Sequence, residues 1–94
     1  MTLDPACTIT RTETHVETEL DDEIIAMSVQ TGLVFSFTNT AREIWTFLGE
    51  ERRFEQIVAH MMAEFDVARD ACEADIARFI ETLADHGMVR VSDA

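Results

Sequence analysis

Apolar positions along the chain follow a strand-like pattern first and a helical period afterwards. Ile24-Ile25-Ala26-Met27-Ser28-Val29 and Leu33-Val34-Phe35-Ser36-Phe37 are short runs rich in β-branched and aromatic residues. Gln30-Thr31-Gly32 lies between them, and its glycine supplies the positive φ of a hairpin turn. In the second run Leu33, Phe35 and Phe37 alternate with Val34 and Ser36, so the first set is expected to face the rest of the fold. The period then becomes helical. Ala41, Ile44, Trp45 and Leu48 follow Thr40, which with Glu43 reads as a Thr-x-x-Glu capping box, and Gly49 closes the helix. A second helix is predicted over Arg53 to Phe65, with Phe54, Ile57, Val58, Met61, Met62 and Phe65 as its apolar stripe. A third is predicted over Asp70 to His86. Asp70 and Glu73 repeat the box at its start, Ile76, Phe79, Ile80 and Leu83 line its inner face, and Gly87 stops it.

The flanks carry less pattern. Residues 1–7, with Asp4-Pro5, read as a flexible N-terminus. Thr8 to Thr18 alternates Thr, Arg, Glu and His around Ile9 and Val16, and is expected as an exposed strand. Glu17, Glu19, Asp21, Asp22 and Glu23 form an acidic cluster expected at a solvated turn; they lack the glycine-centred spacing of a calcium loop. Met88-Val89-Arg90-Val91 reads as a terminal extended piece. The sum is an α+β domain over residues 8–91, a three-stranded antiparallel sheet followed by three α-helices. The helices must cover the sheet, since a free hairpin is marginal in water.

Charge narrows the partners. Nineteen acidic residues face seven arginines and no lysine, a formal net charge of −12. Such a field repels nucleic acid and anionic membranes, which are bound through cationic groups, and attracts basic segments of peptides or proteins. The ninety-four residues contain no apolar run of membrane-spanning length and no secretion signal at the N-terminus, so the chain is expected in the cytoplasm. Cys7 and Cys72 have neither metal-ligand nor redox spacing and are expected as reduced side chains.

The search for chemistry returns little. His60 and Glu64 share one side of the second helix without a third zinc ligand, and His15 and His86 stand alone. Ser28, Ser36 and Ser92 occupy no nucleophile turn, and the three glycines form no phosphate loop. Cys72, early in a helix, has Glu73 and Asp75 opposing its thiolate. The residues therefore predict a non-enzymatic chain with neither metal nor cofactor.

Three segments of this pattern resemble the PqqD-like proteins, the recognition elements or peptide chaperones of ribosomally made, post-translationally modified peptides (RiPPs). They are Glu19-Leu20-Asp21-Asp22-Glu23 through Thr31-Gly32 to Phe37; Ala41 through Ile44-Trp45 to Leu48; and Ile57-Val58 through Phe65-Asp66-Val67, Glu73-Ala74-Asp75-Ile76, Phe79-Ile80 and Leu83 to Gly87-Met88-Val89. The likeness covers nearly everything beyond residue 18. Phe37-Thr38 stands where the family often has Leu-Asn, and Arg53 where a Thr starts the second helix, departures that leave the pathway open.

The resemblance implies a winged-helix-like domain that binds the leader part of a precursor peptide as an added strand, covered on its other side by the third helix. Carried onto this chain, the peptide-binding residues are Leu33, Val34, Phe35, Ser36 and Phe37 along the edge, and Cys72, Asp75, Ile76 and Phe79 on the helix, Asp75 being the partner for a basic leader residue. The partners implied are the leader and a separate modifying enzyme: a radical-SAM protein, a cyclase or a protease. A homodimer formed by hairpin exchange is compatible with the pattern. Two other readings stand beside it, an acidic protein-interaction adaptor and a winged-helix DNA-binding regulator. Against the second, the third helix offers Arg78 amid Glu73, Asp75, Glu81 and Asp85.

Overall fold

The computed structural model describes residues 3–13 and 15–93. Within them the order is β1 (Thr8–Arg11), β2 (His15–Leu20), β3 (Glu23–Ser28), β4 (Val34–Phe37), α1 (Asn39–Phe47), β5 (Arg52–Arg53), α2 (Phe54–Glu64), α3 (Arg69–Asp85) and β6 (Val89–Ser92). Three helices and an antiparallel meander β2-β3-β4 form the expected α+β arrangement. A second small sheet joins them, with strand order β5-β1-β6.

That second sheet corrects the expected single strand over Thr8 to Thr18. The run breaks into β1 and β2, which belong to different sheets; Thr14, between them, lies outside the described residues. β1 pairs with the C-terminal strand, setting Ile9 opposite Val91 and Arg11 opposite Val89, and with β5 through Thr8 and Ile9. Ile9 and Val89 are buried there. The segment read as a loose end holds contacts of its own from residue 3 onward. Leu3 and Cys7 are buried, and Phe54 and Glu55 at the start of α2 donate backbone N–H groups to Cys7 and Pro5 carbonyls at 2.9 and 3.0 Å. Residues 1 and 2, the remainder of that expectation, lie outside the described residues.

The hairpin follows the sequence reading. Gly32, at φ 75°, donates to the Ser28 carbonyl at 2.7 Å, and Ser28 N–H donates to Leu33 O at 2.9 Å. The acidic cluster divides, contrary to a single solvated turn. Asp21 and Asp22 make the β2–β3 turn, with Asp21 at φ 49°, while Glu17 and Glu19 are strand residues engaged by arginines.

Helix starts depart from expectation at two of three places. α1 begins at Asn39 with Thr38 as its N-cap, and no side chain caps it. Glu43 instead accepts from His60 of α2 at 2.8 Å, and the His60 ring stacks on Phe47 at 4.0 Å. A tertiary contact has taken the carboxylate that a local cap would use. α3 likewise begins after Ala68 without a side-chain cap, and Glu73 pairs with Arg69 at 3.4 Å. At α2 the Gln56 side chain accepts the Arg53 N–H at 2.8 Å, half of a capping box.

The core is one cluster centred on Trp45, which is fully buried. Phe37 lies 5.0 Å from its ring, His15 meets it edge-on at 5.1 Å, and the Arg11 guanidinium sits 4.2 Å over its face. Arg11 also donates to the Trp45 carbonyl. Glu17 is the counter-charge, 3.6 Å from Arg11 and 2.9 Å from His15. Burial pushes the Glu17 carboxyl upward. Hydrogen bonds from His15 and from Trp45, together with the charges of Arg11 and His15, outweigh that and hold it below its ordinary value of 4.5.

Two expectations follow. Trp45→Ala should cost about 3–5 kcal/mol, the usual range for emptying a large aromatic site, measured as a shift in urea midpoint. A carboxyl depressed on folding contributes stability that is complete above its unfolded pKa and is lost as pH falls through the lower folded one. Glu17→Gln should therefore lower Tm at pH 7, and the two melting curves should converge as pH drops below 4.5.

Candidate functional site

β4 is the outer strand of its sheet, and the alternation of the ladder decides which of its backbone groups are used. Ser28 N–H bonds to the directly opposed Leu33, so that pair belongs to the closely bonded set. Two residues on, Phe35 opposes Ala26, and then Phe37 opposes Ile24. Phe35 and Phe37 therefore spend their N–H and C=O groups on β3, while those of Val34 and Ser36 point away from the sheet, along its open edge.

Side chains follow the same alternation. Phe35 and Phe37 turn inward, their rings 5.8 Å apart and nearly parallel. Phe37 is buried and meets Phe79 of α3 edge-on at 5.6 Å; Phe35 meets His86 at 5.5 Å. Val34 and Ser36 face outward and are exposed, the latter donating to Glu23. Leu33 departs from the expected inward set. It precedes the strand, in the turn, and is 44% exposed.

The hairpin tip is fixed to the end of α3. Ser28 Oγ donates to the His86 carbonyl at 2.6 Å, and Thr31 Oγ1 lies 3.1 Å from His86 Nδ1. Gly87 stops the helix at φ 72°, and a Cβ there would collide with the Gln30 side chain. Glycine is required twice over, for the left-handed backbone and for the close approach.

A cleft of about 460 Å³ opens between the start of α1, the end of α2 and one face of α3. Cys72, Asp75, Ile76 and Phe79 all line it. The four helix residues singled out from sequence are thus brought together, and Phe79 joins them to the strand through Phe37. Cys72 and Ile76 are themselves buried and belong to the core as well as to the wall. The opposite walls were missed. Thr40, Ala41 and Ile44 come from α1, and Met61, Phe65 and Val67 from α2 and the loop after it. Their signal, an apolar stripe continuing past the end of α2 to Val67, is present in the sequence but reads equally as core.

The electrostatics of the cleft are mild. Asp75 is largely exposed and lies 3.6 Å from Arg78, one turn away on the same helix. Burial pushes the Cys72 thiol up, Asp75 and Glu73 push it further, and Arg69 opposes them weakly, so it is a neutral thiol at pH 7. Cys7 is raised by burial and by Asp4 and Asp93. Among the described residues no group of three or more His, Cys, Asp or Glu side chains is gathered to hold a metal ion, and no helix is long and apolar enough to cross a membrane.

A winged-helix-like α+β scaffold with an open strand edge and an apolar cleft, joined through Phe37 and Phe79, defines the class. The chain belongs to the PqqD family: the family described as coenzyme PQQ synthesis protein D (PqqD) matches residues 23–89. Among solved structures, the chain is similar to "TbiB1 in Complex with the TbiA(beta) Leader Peptide", with 31% identity and a TM-score of 0.77 over 86% of this chain and 94% of that one. It shares its fold with "Lasso peptide synthetase B1 complexed with the leader peptide", at 20% identity and a TM-score of 0.72 over 87% of this chain and 96% of that one. No curated protein matches the chain.

The cleft geometry makes a prediction for the thiols. Both cysteines are buried and raised, so in the folded chain at pH 7 a thiol-disulfide reagent should label them at least about tenfold more slowly than in denaturant. Fast labelling of Cys72 in the folded state would show its wall of the cleft to be open.

Proposed function

We propose that this chain binds the leader segment of a ribosomally synthesised precursor peptide by strand addition to β4, and presents the peptide to a separate modifying enzyme or leader protease without chemistry of its own. One observation carries the reading: β4 leaves the outward backbone groups of Val34 and Ser36 free, and Phe37 at its end meets Phe79, which lines an apolar cleft together with Cys72, Asp75 and Ile76. Backbone pairing supplies affinity that tolerates sequence, and the cleft supplies pockets for alternate side chains. Leu33 to Phe37 form the docking edge in this reading, and Asp75 is the counter-charge for a basic leader residue.

The other edge of the sheet is less suited. On β2 the outward backbone groups fall at His15, Glu17 and Glu19, because Val16, Thr18 and Leu20 pair with β3. Glu17 is committed to Arg11 and His15, and Glu19 to Arg42 at 2.9 Å. An edge carrying charges held in ion pairs resists strand addition. The similar structure at 31% identity is a complex with a leader peptide, which supports the same assignment. A DNA-binding reading fares worse, since Arg69 and Arg78 of α3 each lie beside a carboxylate of their own helix. Holding the leader raises the effective concentration of the rest of the peptide at the enzyme, which is the whole of the proposed catalytic benefit.

Calorimetric titration with the leader peptide encoded beside this gene should give saturable binding. Val34→Pro, which removes an outward N–H, should weaken it by about tenfold or more. Phe79→Ala should weaken it as well by removing the wall shared by strand and cleft. Circular dichroism must show both variants folded. Absence of binding by the unaltered chain at low and moderate salt would overturn the reading, and intact binding by a folded Val34→Pro would move the site away from this edge.

A further inference from the structure

The α1 and α2 walls of the cleft are joined, behind the residues that line it, by a half-buried contact. Glu43 of α1 lies 2.8 Å from His60 Nε2 of α2. The His60 ring lies on Phe47, one turn after Glu43 in α1, with centroids 4.0 Å apart and planes 5° from parallel. Arg52 of β5 sits 4.0 Å over the Phe47 ring and donates from Nε to the Phe47 carbonyl at 2.9 Å. Two planar groups this close to one centroid cannot share a face, so Phe47 is held between His60 and Arg52.

Sequence adjacency ties this contact to the cleft. Ile44 follows Glu43 and Met61 follows His60, and both line the cleft. Neighbours on a helix move together, so the Glu43–His60 separation helps to set the distance between the two walls. The contact is also open to solvent protons, since the His60 and Glu43 side chains are 25% and 38% exposed.

Its strength depends on the charge of the ring. Histidine is the side chain whose charge changes between about pH 5 and 8. A neutral ring gives Glu43 an ordinary hydrogen bond; a protonated one gives a charge-assisted bond, roughly twice as strong, and sets a cation on the Phe47 face. Among the described residues the charged groups around the ring are Glu43 from α1, Glu64 one turn on in α2, and Arg52 from β5, with Glu50 3.6 Å from Arg52. Gln56, one turn before in α2, is neutral. Glu43 touches the imidazole, whereas Arg52 is a whole ring away and has Glu50 beside it, so attraction outweighs repulsion. Protonation therefore tightens the contact.

We propose that His60 is a positioning residue of the cleft: when protonated it draws the α1 wall onto the α2 wall, and leader affinity rises as pH falls. The inference rests on the leader-binding reading and adds to it a residue outside both the strand edge and the cleft lining. Anisotropy of the labelled leader peptide encoded beside this gene is read at about pH 8 and about pH 5.5. The acid-to-alkaline affinity ratio of the unaltered chain should exceed that of His60→Gln and of Glu43→Gln by about threefold. Titration of the peptide's own groups cancels, because every variant meets the same peptide. His60→Arg carries a permanent, planar charge that can stack on Phe47 and pair with Glu43, so it should keep the acidic affinity at both pH values. His15→Gln and His86→Gln should keep the ratio of the unaltered chain, whatever they do to affinity itself. In the free chain, methyl resonances of Ile44 and Met61 should titrate together with the His60 ring protons.

Equal ratios in the unaltered chain and in both glutamine variants, shown folded by circular dichroism, would overturn the proposal. Methyl resonances of Ile44 and Met61 that ignore the His60 titration overturn it as well, and that measurement needs neither a variant nor a leader. Loss of the pH dependence in His86→Gln in place of His60→Gln would assign it to the hairpin tip. An unaltered chain that binds no leader at either pH sinks both readings; normal leader binding with a ratio untouched by His60→Gln sinks this one alone.

Discussion

The indole of Trp45 is held between a cation and an aromatic ring, and the two sheets meet there. Arg11 comes from β1, His15 and Glu17 from β2, Phe37 from β4 and Trp45 from α1. Burial lowers the Arg11 pKa and Glu17 opposes that effect, so the buried guanidinium is left paired with a close carboxylate. An arginine over an indole face adds a cation–π attraction and packs its stem against apolar surface. A purely aliphatic centre would fill the same volume. It would not fix the orientation of β1 against β2, since dispersion has no preferred direction.

From that centre the second constraint is the bolt between the hairpin tip and the end of α3. Ser28, Thr31 and Gln30 reach His86 and Gly87, while Phe37 touches Phe79 two turns earlier on the helix. β4 is thus held against α3 near both of its ends, and the spacing between strand edge and cleft is set before any ligand arrives. A preorganised edge spends less binding free energy on ordering itself, which matters when the ligand is an extended peptide that must be ordered from a flexible state.

Much of this was legible because local and tertiary preferences agree. The hairpin, its glycine, three helical stripes and the stop at Gly87 all follow from period and backbone chemistry that depend on few neighbours. The capping boxes at Thr40 and Asp70 failed for the opposite reason. Glu43 is worth more against His60, stacked on Phe47, than against its own helix start. The β1–β6 pairing was invisible because it joins the two ends of the described chain through strands of four residues each, too short to carry a period. For the cleft, half of the walls were found through the helix face that the family resemblance picked out. The α1 and α2 walls are built from residues whose apolar character suits either a core or a pocket, and only the packing distinguishes them.

The division of labour between edge and cleft bears on selectivity. In the proposed mode, two outward residues on β4 would provide a small number of backbone hydrogen bonds, each worth about 0.5–1.5 kcal/mol net and indifferent to side chains. Discrimination among peptides must therefore come from the cleft and from charge. A volume of about 460 Å³ lined by Ile44, Met61, Phe65 and Phe79 suits a few apolar or aromatic side chains at most. Asp75, exposed at its border, adds one position where a basic residue is favoured. Screening limits that charge to about 8 Å at physiological salt, so it reads a neighbour of the anchored side chain and nothing farther along the peptide. In the proposed mode, the site would read a short stretch of peptide bearing an apolar anchor beside a cation.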